Sequence, residues 1–213
     1  MRMKPEEYER WLKLLDIPMQ LETERLILRI LDDSDAEELY ACIEESREHL
    51  AKYLRWAVDK FLTVEDCKAE IRRMRARFFA REDQQYFLFE KSTGVMIGSV
   101  GGHCSMLRTP TWEVGGFLFE PFLGKGYATE GAKAMVQICF EIVQAKRVEG
   151  IISSENDASQ NWAKRLGFTH EVTQREHEWN VAHTKLVDIL IYGLTLPEYE
   201  ANKSFYQVLL KEK

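Results

Sequence analysis

Apolar and polar residues alternate over 25–30 (Arg-Leu-Ile-Leu-Arg-Ile), the two-residue period of a strand that buries one face. The same rhythm, or a short apolar run, predicts strands at 85–89, 95–101, 112–119 and 148–152, with two late ones near 168–176 and 185–194. Ser92-Thr93-Gly94 is a turn, so the strands flanking it pair as a hairpin. A helical period marks 5–15, where Pro5 suits a first turn and Pro18 stops the run. Ser34 with Glu37 reads as a capping box for a helix reaching about Tyr53. Thr63 with Asp66 is a weaker version for a helix over 64–81. The strongest helix, 127–145, places Ala128, Ala132, Met135, Val136, Cys139 and Val143 on one face. A short helix follows at 159–165, and the tail over 197–213 reads as a helical appendage. Between the terminal helices the order is β-α-α-β-β-β-α-β-α-β-β, which predicts an α/β fold with a mixed sheet and helices on both faces. No repeat, low-complexity run or Gly/Ser linker interrupts it. One domain is therefore expected over 21–196, between a helical extension (1–20) and the tail.

Composition narrows the function classes. The 213 residues are 45% hydrophobic, which excludes bulk disorder. A chain of this length buries roughly 70% of its unfolded surface without staples. With 29 basic against 35 acidic side chains the net charge is -6. That balance speaks against broad electrostatic binding to nucleic acid and is compatible with cationic, amine-bearing substrates. No stretch approaches the roughly 20 apolar residues of a membrane span. The opening MRMKPEEYERWLKLL carries charge inside every apolar stretch, unlike a signal peptide. Cys42, Cys67, Cys104 and Cys139 lie far apart without CxxC or HExxH spacing, so no metal site is expected and they read as reduced core thiols of a cytoplasmic protein. Arg72, Arg73, Arg75, Arg77 and Arg81 make a positive cluster on one predicted helix, either a solvated face or an attraction for an acidic protein.

Two segments are candidates for chemistry. Glu120-Pro-Phe-Leu-Gly-Lys-Gly-Tyr-Ala-Thr-Glu130 is a glycine-bearing turn between a strand and the strongest helix. Gly124 and Gly126 remove side chains where backbone N–H groups can converge, and the helix behind adds the positive end of its dipole, the physics of an anion cradle. Neither GxxxxGK[ST] nor GxGxxG occurs, and an ordinary tight turn explains the local sequence equally well. In the second segment, 154–168, Asn156 follows a strand, Ser159 opens the short helix and Gly167 ends it; helix capping alone explains that pattern.

Together these segments resemble the GNAT family of N-acetyltransferases, above all its RimJ/RimL-type ribosomal-protein N-acetyltransferase branch. The resemblance rests on Leu21-Glu-Thr-Glu-Arg-Leu-Ile-Leu-Arg29, Glu113-Val-Gly115, Gly124-Lys-Gly-Tyr-Ala-Thr-Glu130, and Asn156-x-x-Ser159 with Leu166-Gly-Phe168, in the family order over about residues 21 to 195. His49-Leu-x-x-Tyr-Leu-x-Trp56 is similar to a helix segment of the RimL-type subgroup. What the resemblance implies is a mixed, mostly antiparallel central sheet of about seven strands, acetyl-CoA as donor and a primary amine as acceptor. It also allows a homodimer, while charge, apolar runs and cysteine spacing already speak against nucleic acid, membrane and metal. Three positions depart from the family pattern. Pro121 stands where Gln or Arg usually opens the loop, Ala163 where many members carry an acid tyrosine, and Gly116 where an aromatic is common. Ser159 then becomes the candidate acid for the leaving thiolate.

By the same resemblance, the N–H groups of Leu123, Gly124, Lys125, Gly126, Tyr127, Ala128 and Thr129 are expected to hold the cofactor pyrophosphate. The strand edge at Phe117, Leu118 and Phe119 would hold its pantetheine arm, opened by a bulge that Gly115 and Gly116 would permit. An N–H near Leu118 would stabilise the developing oxyanion. Acceptor ammonium groups with pKa values of ~8 to ~10 need a base. Glu113 is the candidate, directly or through a water, and His103 is the second candidate. Asn156, with Ser159 beside it, would orient the cofactor or a water. Tyr53, Trp56 and Asp188 are candidates for the acceptor side. Three readings stay open: acetylation of a protein N-terminus, acetylation of a small amine such as an antibiotic or polyamine, and a non-catalytic acetyl-CoA-binding module.

Overall fold

The computed structural model describes residues 3–55 and 59–210. Helix α1 (Pro5–Leu14) precedes two short antiparallel strands, β1 (Gln20–Glu22) and β2 (Leu26–Arg29). Helices α2 (Ala36–Ala51) and α3 (Val64–Phe79) follow, then the meander β3 (Gln84–Glu90), β4 (Met96–Met106) and β5 (Thr111–Leu118). Helix α4 (Tyr127–Gln137) leads through a widened turn, Ile138–Ile142, to β6 (Arg147–Ser153). Helix α5 (Asp157–Arg165), the pair β7 (Thr169–Trp179) and β8 (Leu186–Thr195), and the short helices α6 (Leu196–Ala201) and α7 (Lys203–Tyr206) complete the described chain. One sheet holds all eight strands in the order β1-β2-β3-β4-β5-β6-β8-β7, antiparallel except between β5 and β6. The strand beyond the expected seven or so is β1, whose three residues are too few for a period to show. No described helix is long and apolar enough to cross a membrane.

The apolar run of β3 resolves into two layers. Tyr86 and Leu88 join a core with Tyr8 of α1, Trp112 of β5 and Met135 of α4. Phe87 and Phe89 join a second core with Leu39 and Ile43 of α2 and Ile71 of α3. Each such fully buried side chain contributes roughly 1.5–3 kcal/mol. The terminal segments belong to the first core, so the tail is not an appendage. Tyr199 stacks on Phe140 with ring centroids 4.5 Å apart, and the Tyr206 hydroxyl donates to the Leu166 carbonyl at 2.5 Å. At the other end the Tyr8 hydroxyl donates to the Val143 carbonyl at 2.7 Å and accepts from the Trp112 indole at 3.0 Å.

Two local expectations shift. The capping box before α2 is formed by Asp32 and Asp35, not by Ser34 and Glu37. Asp32 accepts from the Ser34 N–H at 2.9 Å and Asp35 from the Asp32 N–H at 2.8 Å. Arg29 fixes the Asp35 carboxylate with bonds of 2.6 and 2.8 Å, so the better anchored acceptor takes the cap. In α4 and the widened turn after it, Ala132, Met135, Val136, Cys139 and Val143 are buried as expected, but Ala128, in the first turn beside the glycine loop, is exposed.

Candidate active site

β5 and β6 run parallel but pair over one short stretch only: Thr111 with Arg147, Trp112 with Val148 and Glu113 with Glu149. Beyond it both strands continue, β5 to Leu118 and β6 to Ser153, with no pairing between them. A wedge opens there, with Glu113 at its apex and the loops after both strands at its mouth, about 16 Å away at strand rise. Along its other edge β5 stays paired with β4. The Phe119 N–H donates to the Ile97 carbonyl at 3.0 Å. Antiparallel pairs alternate, so the main-chain groups of Phe117 and Gly115 also face β4, whereas those of Leu118, Gly116 and Val114 point into the wedge.

This corrects three expectations. The edge is opened by the divergence of β6, not by a bulge at Gly115 and Gly116: the β4–β5 register shifts only between Cys104 and Met106. Gly116 instead marks a close approach, since a Cβ there would lie 2.4 Å from the Ser99 carbonyl oxygen. Of the three expected edge residues, only Leu118 offers its N–H. Phe119 has given its N–H to Ile97 and its ring is buried, while Phe117 turns its main chain to β4.

At the mouth, Gly124 and Gly126 adopt φ of +74° and +83°, the left-handed region that favours glycine. Among the described residues no acceptor meets the N–H groups of Gly124 through Thr129, and α4 begins at Tyr127, so its dipole adds to theirs. Leu123 leaves the expected set, because its N–H donates to the Glu120 carbonyl at 3.3 Å. The turn is clamped from outside by Arg25. Its guanidinium donates to the Lys125 carbonyl at 3.0 Å and to Glu130 at 2.7 Å, and its own N–H donates to Glu130 at 3.0 Å. The Thr23 hydroxyl adds a 2.5 Å bond to the same carboxylate. Burial pushes the Glu130 carboxyl up, but these donors outweigh it and hold it below the usual carboxylate range. The Lys125 ammonium lies over the Phe122 ring at 5.2 Å, and the Tyr127 hydroxyl donates to Glu90. These two residues therefore offer the cradle their main chain. Thr23, Arg25 and Glu130 carried no separate sequence signal beyond standing in two of the segments that bear the family resemblance.

Across the mouth, the Asn156 side chain caps α5 by accepting from the Ser159 N–H at 3.0 Å. That oxygen is committed to the cap, while the Ser159 hydroxyl, half-buried, has no partner among the described residues. Trp162 of α5 donates its indole N–H to the Ala128 carbonyl at 3.2 Å, joining the two flanks of the mouth. The Asp188 carboxylate, a candidate for the acceptor side, takes the Glu176 N–H at 2.8 Å, where β7 slips its register.

At the apex, register sets His103 of β4, Glu113 of β5 and Glu149 of β6 in one row. His103 Nε2 lies 3.5 Å from Glu113 Oε2. Burial pushes the Glu113 carboxyl above the usual glutamate range; His103 opposes that shift, and Glu149 and Asp83 add to it. Glu149 is already engaged. It accepts from the Ser105 hydroxyl at 2.9 Å and from Arg147 at 3.4 Å, and Arg147 in turn bonds Glu171 of β7 at 2.7 and 2.5 Å. Glu113, by contrast, has neither of those partners and stands beside His103.

On the α2–α3 side of the sheet a cavity of about 250 Å³ is lined by Leu39, Ile43, Phe61, Met74, Phe87 and Phe117, with Lys60, Glu70, Arg73, Arg77, Asp83 and Gln85 as its polar groups. Tyr53 does not line this cavity, and Trp56 lies outside the described residues. The arginine cluster of α3 is committed within the chain. Arg72 pairs with Asp33, Arg73 with Glu70 at 2.5 Å and Arg77 with Asp83 at 3.5 Å, while Arg75 and Arg81 donate to the carbonyls of Leu31 and Leu15.

Residues 25–169 match the family described as the acetyltransferase (GNAT) domain. An uncharacterized N-acetyltransferase of Bacillus subtilis (strain 168), YoaA, is 25% identical over 177 residues, 83% of this chain and 97% of its own length. Among solved structures, RimL, a ribosomal L7/L12 alpha-N-protein acetyltransferase in complex with coenzyme A, aligns with a TM-score of 0.74 at 19% identity, over 85% of this chain and 98% of its own. The microcin C7 self-immunity acetyltransferase MccE, in complex with acetyl-CoA and AMP, aligns with a TM-score of 0.72 at 22% identity, over 81% and 93%. At these identities the two structures speak for the fold alone.

Proposed function

The chain belongs to the GNAT family of acetyltransferases and is an acetyl-CoA-dependent N-acetyltransferase; from that premise we propose that its acceptor is the N-terminal α-amino group of a protein. Acetyl-CoA supplies an acetyl group activated as a thioester. The N–H groups of Gly124 to Thr129 would hold its pyrophosphate, and the β5 edge at Val114, Gly116 and Leu118 its pantetheine arm. The Leu118 N–H polarises the carbonyl under attack. Glu113 takes a proton from the acceptor ammonium, and the Ser159 hydroxyl gives one to the departing sulfur.

The observation that carries the acceptor assignment is the cavity beside Phe117. At about 250 Å³ it falls short of the roughly 300–1,000 Å³ that enclose free drug-sized ligands. It suits a chain end whose body stays outside. An α-amino group, with a pKa of ~8, also asks less of its base than a lysine-like amine of ~10, so a single carboxylate is enough. The test is a competition among peptides with free and blocked N-termini, peptides with internal lysine, an aminoglycoside and a polyamine, with acetyl positions located by mass spectrometry. Acetylation of free α-amino groups is expected. Turnover of the small amines alone would overturn the assignment.

A further inference from the structure

We infer that His103 is the exit route for the proton that Glu113 removes, so that the two side chains work as a relay from the apex of the wedge to solvent. The inference rests on Glu113 being the base, and not on which amine is the acceptor. The need for an exit follows from the balance of the reaction. The acceptor nitrogen enters as an ammonium and loses one proton before it attacks. It loses a second as the N–C bond forms and the C–S bond breaks, with the sulfur keeping the bonding pair. One of these protons ends on the thiol, by way of the Ser159 hydroxyl, which is then restored. The other must reach water in every turnover, or Glu113 stays protonated and the next ammonium cannot be activated.

Geometry singles out the route. His103 is the ladder partner of Glu113 on β4, and its Nε2 stands 3.5 Å from the Glu113 carboxylate. The imidazole side chain is 43% exposed against 32% for the carboxylate, so the histidine is the wetter end of the pair. The other groups around Glu113 do not serve. On β6, Glu149 is held by Ser105 and Arg147, and Arg147 cannot take up a proton. On β7, Glu171 is bonded to Arg147. Asp83, before β3, lies 3.5 Å from Arg77. A histidine is also the side chain whose ordinary titration range suits accepting a proton from a carboxyl and releasing it near neutral pH. Imidazole can take the proton on Nε2 and release one from Nδ1, so passage needs no movement of the backbone.

The experiment compares His103→Gln with Glu113→Gln, using whichever acceptor, peptide or small amine, is turned over. Acetyl-CoA affinity, read by calorimetry, should match the parent in both. In Glu113→Gln kcat should fall by ~10²–10⁴. In His103→Gln it should fall about tenfold, the acidic side of the pH profile should change shape, and added imidazole should restore the rate. Imidazole should not rescue Glu113→Gln. A His103→Gln variant with the parent's kcat and pH profile overturns the relay and leaves Glu113 as base. A loss that imidazole does not relieve makes His103 a packing residue and also overturns it. Parental activity in Glu113→Gln removes the base and the relay together.

Discussion

The mouth and the apex of the wedge are made of different materials. At the mouth the donors are backbone N–H groups, aimed by two left-handed glycines and clamped by Arg25 through Lys125 and Glu130. Their partial charges do not titrate, so the anion binding proposed there does not depend on the protonation of a side chain that touches the ligand. At the apex, the groups to which the proposal gives the chemistry are a carboxylate and an imidazole on neighbouring strands. On the proposed reading, binding and chemistry are separated along one strand, with affinity set near Gly124 and turnover near Glu113.

The largest effect that sharpens this contrast is expected at the apex: Glu113→Gln should lower kcat/KM by ~10²–10⁴ with acetyl-CoA affinity retained, measured by steady-state kinetics beside calorimetry. Because burial raises the Glu113 carboxyl above the usual glutamate range, the parent's activity should climb with pH through that raised value and fall away below it. Ser159→Ala should reduce kcat by about 10²-fold with little loss of fold, because the cap uses the Ser159 N–H and not its hydroxyl. Arg25→Ala should act in the opposite sense, weakening acetyl-CoA about tenfold while kcat at saturation is kept. It should also show in acid unfolding. The Glu130 carboxyl is held low in the folded state, so its contribution to stability is present above the ordinary glutamate value and lost as pH falls through the depressed one. Without Arg25 that contribution should be smaller and its loss should be complete at a higher pH. The smallest effects are conformational. Gly124→Ala should cost about 1–2 kcal/mol of thermal stability from its left-handed φ, since a Cβ there meets nothing within 4 Å, and Asn156→Ala about 1 kcal/mol from the lost cap.

What could be read from the chain divides along the same line. The anion cradle is contiguous, so a glycine-bearing turn running into a strong helix announces it locally. Its clamp is not contiguous: Arg25 and Glu130 stand 105 residues apart and meet only through the fold. Likewise Glu113 and His103 each stand out as candidates, but their pairing depends on the β4–β5 register, which no local pattern encodes. The same register decides that Leu118, and not Phe117 or Phe119, turns its N–H to the wedge. The hairpin around 92–94 is plain in the sequence because turn residues stand between two apolar runs, whereas the two faces of β3 show only once both cores are formed. The tail misled because short helices bearing Tyr199 and Tyr206 look peripheral until the surface that buries them is known. The arginines of α3 stay on a solvated face, as their sequence suggests; what the sequence does not show is that Asp33, Glu70 and Asp83 stand beside them.

The most direct test of the central claim, that the donor is held at the mouth between β5 and α4, is calorimetric titration of acetyl-CoA into the parent and into Gly124→Trp, with circular dichroism to show that both are folded. Saturable binding by the parent and its loss in the folded variant is the expected result. Equal binding by both proteins, or no binding by the parent, would contradict it.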